Sequence, residues 1–277
     1  MYKTILVHVD ASERSVARVE AAARLALSNE AHLVGTALTG LSAFMFPATM
    51  LDASMPPIVF PVEELRAAAE RTLDAFDSRA RAIGVQSLER RCLDDDVGAS
   101  LCLQARYADL VVISQLRPGE LAPYVQPDFP QYVALNSPRP VLVLPADHAG
   151  DEIGKRVTVA WNGSAEAVHA IASALPLLRR AEQVNLLVIL AADAADHGEQ
   201  PGGDMALYLA RQGVKVEVVV LLGDDNDGQQ LMSFAADKGS DLIVMGAFGH
   251  SRLREFVMGG FTRTALRSSP VALWMAH

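Results

Sequence analysis

The 277 residues are enough for two domains of ordinary size, and 51% hydrophobic with 21% charged residues is the composition of a globular chain. A net charge of −9 argues against nucleic acid and against anionic membrane surfaces as partners. The two cysteines, Cys92 and Cys102, fit neither a disulfide framework nor a zinc pattern, which suits a reducing, intracellular setting.

The opening stretch MYKTILVHVDAS alternates like a strand, includes an acidic residue and lacks the apolar core of a cleavable export signal, so a cytoplasmic location is expected. Short β-branched runs then alternate with longer helix-period segments, the pattern of successive βαβ units and a parallel sheet. In the first half the strands are predicted near 3–10, 32–38, 86–92, 109–114 and 140–145. Residues 41–61 are apolar but broken by Asp52 and four prolines, which reads as a long loop rather than a membrane-spanning helix. Its Phe44, Met45 and Phe46 fit self-packing of the loop, with cover for a cleft or contact with a partner chain as the alternative. After it, Leu65, Ala69, Leu73, Phe76, Ala80 and Ile83 recur on one helical face, and Gly84 ends that helix. In the second half the strands are predicted near 156–162, 184–190, 214–221, 241–246 and 270–275, with helices after the first four.

The two halves are copies. KTILVHVDAS (3–12) matches KRVTVAWNGS (155–164), YADLVVIS (107–114) matches GSDLIVMG (239–246), and NSPRPVLVLP answers to SSPVALWMA with Pro138 opposite Pro270. Asp10 therefore corresponds to Asn162. The expected fold class is α/β, with two tandem doubly wound five-stranded parallel-sheet domains at 1–147 and 155–277, joined by the Gly- and Asp-rich segment DHAGDEIGK.

In such sheets a ligand lies beyond the carboxyl ends of the strands where strand order reverses. In the second copy those ends are Trp161-Asn162-Gly163-Ser164 and the run that follows Met245, GAFGHSRLREFVMGGFTRTALRSS. Gly246, Gly249, Gly259 and Gly260 let the main chain approach an anion, and the N–H groups opening the next helix at Gly260, Phe261 and Thr262 have no intrahelical partner. Thr262 adds a hydroxyl, and Arg252 or Arg254 could bring charge to an outer phosphate, although solvated loop charges are an equal reading. His250 and Ser251 sit in the loop as polar residues; no nucleophile and base pair stands out, so no catalytic residue is assigned.

These residues resemble the universal stress proteins, of the UspA type, whose nucleotide-binding members carry a glycine, two residues, a glycine, nine residues, then a glycine and Ser or Thr. The resemblance covers both copies. It implies a Rossmann-like fold of the adenine nucleotide alpha hydrolase kind and a stress-response or regulatory role. It also implies ATP, ADP or AMP in the second copy, any Mg2+ arriving with the phosphates, and an adenine pocket lined by late second-strand residues such as Ile189. Gly260 stands where the family has Ser or Thr, and Asn162 stands where it has Asp. The first copy keeps Asp10 but has Ser114 and Pro118 at the glycine positions, so no nucleotide is expected there. The family further suggests contact along the fifth strands, a pseudo-dimer within one chain, with an additional homodimer left open.

Other candidates carry less. Asp94-Asp95-Asp96 and Asp224-Asp225 with Asp227 read as helix N-caps rather than a metal site. Cys92, Cys102, Trp161 and Trp274 read as packing residues, with Trp161 also able to flank a base. HExxH, paired CxxC, GxSxG and a Walker loop are absent from the sequence, so slow ATP hydrolysis is the most catalysis expected. The alternative reading is an interaction protein without nucleotide that works through the 41–61 loop.

Overall fold

The computed structural model describes residues 1–41, 61–117, 128–149, 152–190, 200–223, 227–247 and 261–277. In chain order the first half runs β1 (Thr4–Val9), α1 (Arg14–Asn29), β2 (His32–Leu38), α2 (Val62–Ile83), β3 (Leu88–Leu93), α3 (Val97–Ala105), β4 (Leu110–Ser114), α4 (Phe129–Asn136) and β5 (Val141–Leu144). The second half runs β6 (Arg156–Ala160), α5 (Ala165–Leu178), β7 (Gln183–Leu190), α6 (Gly203–Arg211), β8 (Val216–Leu222), α7 (Asp227–Asp237), β9 (Leu242–Gly246), α8 (Phe261–Ser268) and β10 (Ala272–Ala276). Each predicted strand is present. The sixth ends at Ala160 rather than 162, because Asn162 turns the chain by accepting the Ser164 N–H at 3.1 Å.

All ten strands form one sheet in the order β3-β2-β1-β4-β5-β10-β9-β6-β7-β8. Within each half every pairing is parallel, and order reverses where β1 lies between β2 and β4 and where β6 lies between β7 and β9. The halves meet along their fifth strands: β5 and β10 pair antiparallel, with Trp274 opposite Leu142. Two apolar layers cover the sheet. One draws on Val19 of α1, Phe76 of α2, Ala170 of α5 and Leu209 of α6; the other on Leu101 of α3, Val133 of α4, Leu231 of α7 and Ala265 of α8.

The apolar stripe of α2 does what its spacing requires. Ala69, Leu73, Phe76 and Ala80 are buried, and Gly84 closes the helix at φ 110°. Phe76 packs over Gly35 of β2, where a Cβ would come within 2.5 Å of the ring. Burying that phenyl group contributes about 2–3 kcal/mol.

The repeat extends to polar details. Asp109 accepts the main-chain N–H groups of Lys3 and Thr4, and Asp241 accepts those of Gly154, Lys155 and Arg156. Each carboxylate thus anchors the start of its copy's first strand. Across the junction, the Tyr2 hydroxyl donates to the Ser173 carbonyl at 2.9 Å, and the rings of Tyr2 and the fully buried Trp274 are 5.3 Å apart. On the opposite face the buried Gln115 amide donates to the Ser269 carbonyl at 3.1 Å.

Candidate functional site

The second copy's switch point is built around the first turn of α5. Gly163, at φ 76°, completes the turn begun by Asn162, and Ser164 caps the helix by accepting the Ala167 N–H at 3.2 Å. Gly246 ends β9 directly against this turn: a Cβ there would lie 2.6 Å from the Ala167 nitrogen and 2.8 Å from the Glu166 carbonyl carbon. Only glycine allows strand end and helix start to touch. Asn162, Gly163, Ser164 and Gly246 are therefore brought together.

Ile189 is half-buried near the end of β7, on the other side of β6, and Met245 points into the core at 2% exposure. Phe261 and Thr262 open α8; Thr262 is buried, and Phe261 packs against the second apolar layer. Gly249, His250, Ser251, Arg252, Gly259 and Gly260 lie outside the described residues, as do Arg254, Pro118 and residues 42–60 of the long loop.

The first copy fills the same crevice with its own side chains. Arg18, on the second turn of α1 and 2% exposed, donates through Nε to the His8 carbonyl at 2.6 Å and through Nη1 to Ser114 Oγ at 3.2 Å. Its Nη2 lies 3.1 Å from Asp10 Oδ1. Asp10 also accepts the Ser12 N–H at 3.0 Å and the Ser12 hydroxyl at 2.5 Å. Burial alone would raise the Asp10 pKa, but Arg18, then His8 and the two Ser12 hydrogen bonds, hold the carboxyl well below the usual range. His8, its ring 5.3 Å from that of Phe129 and tilted 54° to it, is pushed down to about 4, by burial foremost, with Asp10 opposing and Arg18 and Arg14 adding. It is neutral at physiological pH.

Aligned on the repeat, His8 answers to Ala160, Asp10 to Asn162, Arg18 to Ala170 and Ser114 to Gly246. His8, Asp10, Arg18 and Ser114 of the first copy's network are thus an alanine, a neutral amide, an alanine and a glycine in the second, while Ser12 is matched by Ser164. Sequence reasoning missed Arg18 and His8. The available signal was Arg18 itself, a cation on the stripe that continues through Ala22 and Ala26. A cleft of about 370 Å³ between α1 and α2 flanks this network, lined by Val9, Asp10, Val16, Ala75, Phe76 and Arg79 among others, none of them from β4.

Of the first acidic run, one residue caps a helix. Asp96 accepts the Ala99 N–H at 2.8 Å at the start of α3, Asp95 accepts the Asp96 N–H, and Asp94 pairs with Arg66. Asp224 and Asp225 lie outside the described residues, and Asp227 opens α7. Among the described residues no group of three or more His, Cys, Asp or Glu side chains converges as a metal site, and no helix is long and apolar enough to cross a membrane. Burial, with Asp96 adding, raises the Cys102 thiol to about 11; burial, followed by Glu70 and Asp94, also raises that of Cys92. Neither is poised as a thiolate.

The family model of the universal stress proteins matches residues 1–145 and again 154–277. The chain belongs to this family. A universal stress protein of Synechocystis sp. is 27% identical over 181 residues, which is 61% of this chain and 59% of that protein's length. The solved universal stress protein of Archaeoglobus fulgidus DSM 4304 superposes with a TM-score of 0.74 at 16% identity, over 99% of this chain and 95% of that one. A solved chain from Pseudomonas aeruginosa UCBPP-PA14 gives a TM-score of 0.59 at 14% identity, over 99% and 93%. At these identities the structural likenesses establish the tandem universal stress protein fold. Ligands and roles rest on the residues.

Proposed function

We propose that this tandem universal stress protein binds one adenine nucleotide, ATP, ADP or AMP, at the β6/β9 switch point, and that it acts in the cytoplasm as a stress-response or regulatory protein. Binding rather than turnover is the core activity. The domains are 1–147 and 155–277, the first a structural or regulatory copy without nucleotide.

The observation that carries this reading is the contrast between the two crevices. In the first copy the Arg18 guanidinium takes up the Ser114 hydroxyl and the Asp10 carboxylate. In the second, alanine and glycine replace arginine and serine, and Gly246 runs against the first turn of α5. From there the sequence continues through Gly249 to Gly259 and Gly260 and into α8, whose first N–H groups supply donors for phosphate oxygens. Asn162 offers a neutral amide to the ribose or base. Gly163, Ser164, His250, Ser251, Arg252, Phe261 and Thr262 complete the shell, with Ile189 toward the base and Met245, its side chain in the core, contributing through the end of β9. Mg2+ is held by the phosphates rather than by a carboxylate cluster.

Calorimetry with ATP and Mg2+ tests this on the full chain, on Gly249→Val and on Arg18→Ala. One site per chain is expected in the wild type, unchanged in number in Arg18→Ala. In Gly249→Val, crowding of the phosphate loop by about 1–3 kcal/mol should weaken binding by about ten- to a hundredfold. Absence of ATP binding by the wild type would remove the proposal, and two sites per chain would remove the assignment to the second copy.

A further inference from the structure

The two ends of the ten-stranded sheet are unlike. At one end β3, LERRCL, is guarded by charge: Arg90 pairs with Glu70 and Asp74, each at 2.8 Å, and Arg91 pairs with Glu89 at 2.7 Å. Its neighbouring helix α2 has 22 residues, about 33 Å at the helical rise, more than the length of the strand. At the other end β8, VEVVVLL, has Glu217 as its one charge. Helix α6 has 9 residues, about 14 Å, against about 23 Å of strand. The carboxyl half of β8 is left uncovered: Val220 is 43% and Leu222 78% exposed, and Leu207 and Tyr208 of α6 add 49% and 38%. Val216 and Val218 pack in the same apolar layer as Met205 and Ala206 of α6, so the alternate residues Val220 and Leu222 share that helix's side of the sheet.

The outer backbone of β8 is open up to its last carbonyl. The Lys215 carbonyl accepts from Val184 and the Gly223 N–H donates to Leu190, both on the β7 side. By alternation, the N–H and C=O groups of Val216, Val218, Val220 and Leu222 point outward, and among the described residues no strand pairs with them; the Leu222 carbonyl accepts the Gln230 side-chain amide at 2.9 Å. A largely apolar edge of this kind, with one charge in seven residues, is a template for strand addition.

We propose that β8 pairs antiparallel with β8 of a second copy of this chain, about a twofold axis through Val219. This register engages all four outward residues: Val216 faces Leu222 of the partner subunit, and Val218 faces Val220 of the partner subunit, with the exposed Gln230 amide giving up the Leu222 carbonyl to the new ladder. Glu217 faces Leu221 of the partner subunit, so no like charges oppose each other. A twofold, self-complementary contact also covers the Val220, Leu222, Leu207 and Tyr208 patch on both chains at once, which a single added peptide would not. The chain already joins its own halves by antiparallel pairing of end strands, at β5 and β10. Because each copy carries a net charge of −9 and the contact contains no ion pair for salt to weaken, added salt strengthens the dimer.

Light scattering after size exclusion, with and without added salt, reads the mass against the 29.7 kDa chain. The wild type is expected at twice that mass. Val220→Lys and Val220→Pro are expected as monomers with thermal midpoints near the wild type, since the Val220 N–H takes no part in the β7 ladder. In a Cys92→Ser, Cys102→Ala background, Val219→Cys places two thiols at a non-hydrogen-bonded antiparallel pair, about 4.5 Å between Cα atoms, and is expected to cross-link under mild oxidation. A wild type that stays monomeric, which is also the outcome if a segment of the chain itself covers β8, overturns the proposal. So does a dimer that survives both Val220 substitutions and gives no cross-link at Val219→Cys.

Discussion

Arg18 donates to Ser114 across the gap between β1 and β4, at 3.2 Å and out of contact with solvent. The residues at these two positions in the second copy are Ala170, fully buried, and Gly246, which touches the first turn of α5. One fold thus joins strand end to helix start at a switch point in two ways, through a buried arginine network in one half and by close main-chain approach in the other.

Replacing Arg18 by Ala strands the Asp10 carboxylate, the Ser114 hydroxyl and the His8 carbonyl together. A buried pair broken on one side costs about 3–5 kcal/mol, and the partial exposure of Asp10 puts the expected loss at the lower end of that range. Urea unfolding of Arg18→Ala measures it, and Arg18→Lys, which lacks the planar fork, should recover only part. A loss under about 0.5 kcal/mol would mean that the network contributes little.

Gly246→Ala adds a methyl group 2.6 Å from the Ala167 nitrogen and 2.8 Å from the Glu166 carbonyl carbon. These are backbone atoms, so the helix start must move. The expected cost is about 1–3 kcal/mol of stability, together with weaker nucleotide binding, read by thermal unfolding and calorimetry on one sample. Unchanged stability would show that α5 yields easily.

His8 sets a pH dependence. Unfolded, it takes up a proton near the ordinary value of about 6.5; folded, it resists until about 4. Between these values the unfolded chain binds more protons, so this contribution is complete above about pH 6.5 and declines as pH falls toward 4, by up to about 1.4 kcal/mol per unit. Asp10, depressed in the fold, loses its contribution only below the ordinary carboxylate range, so the two effects separate. Stability measured from pH 7.5 to 4.5 should fall less steeply in His8→Gln than in the wild type.

The junction between halves centres on Trp274, whose indole N–H donates to Ser173 Oγ at 3.0 Å beside the Tyr2 ring. Trp274→Ala is expected to cost about 3–5 kcal/mol and Tyr2→Phe about 1 kcal/mol. If the halves fold as one unit, denaturation of Tyr2→Phe stays a single transition when followed by fluorescence and by circular dichroism; two separated transitions would mark independent halves.

The strands were legible because their apolar runs are short, β-branched and bounded by turn residues, and because the repeat presents each one twice. The α2 face was legible from Leu73 and Phe76 at helical spacing. The network at Asp10 was not. A polar residue inside an amphipathic helix reads as solvent-facing, and nothing local to Arg18 says that its helix turns that side toward the end of β4. The contact at Gly246 was half visible: the glycine stood out, but its neighbour Ala167 lies 79 positions earlier in the chain. Proximity at that separation follows from parallel topology, not from spacing.

The antiparallel seam between β5 and β10 points the carboxyl ends of the two halves toward opposite rims of the sheet. In an assembly of two identical single units, any change at one rim is copied at the other, so neither can be remodelled alone. A covalently duplicated chain escapes that duplication of consequences. One rim carries an arginine that acts as a fastener, while the other carries glycines.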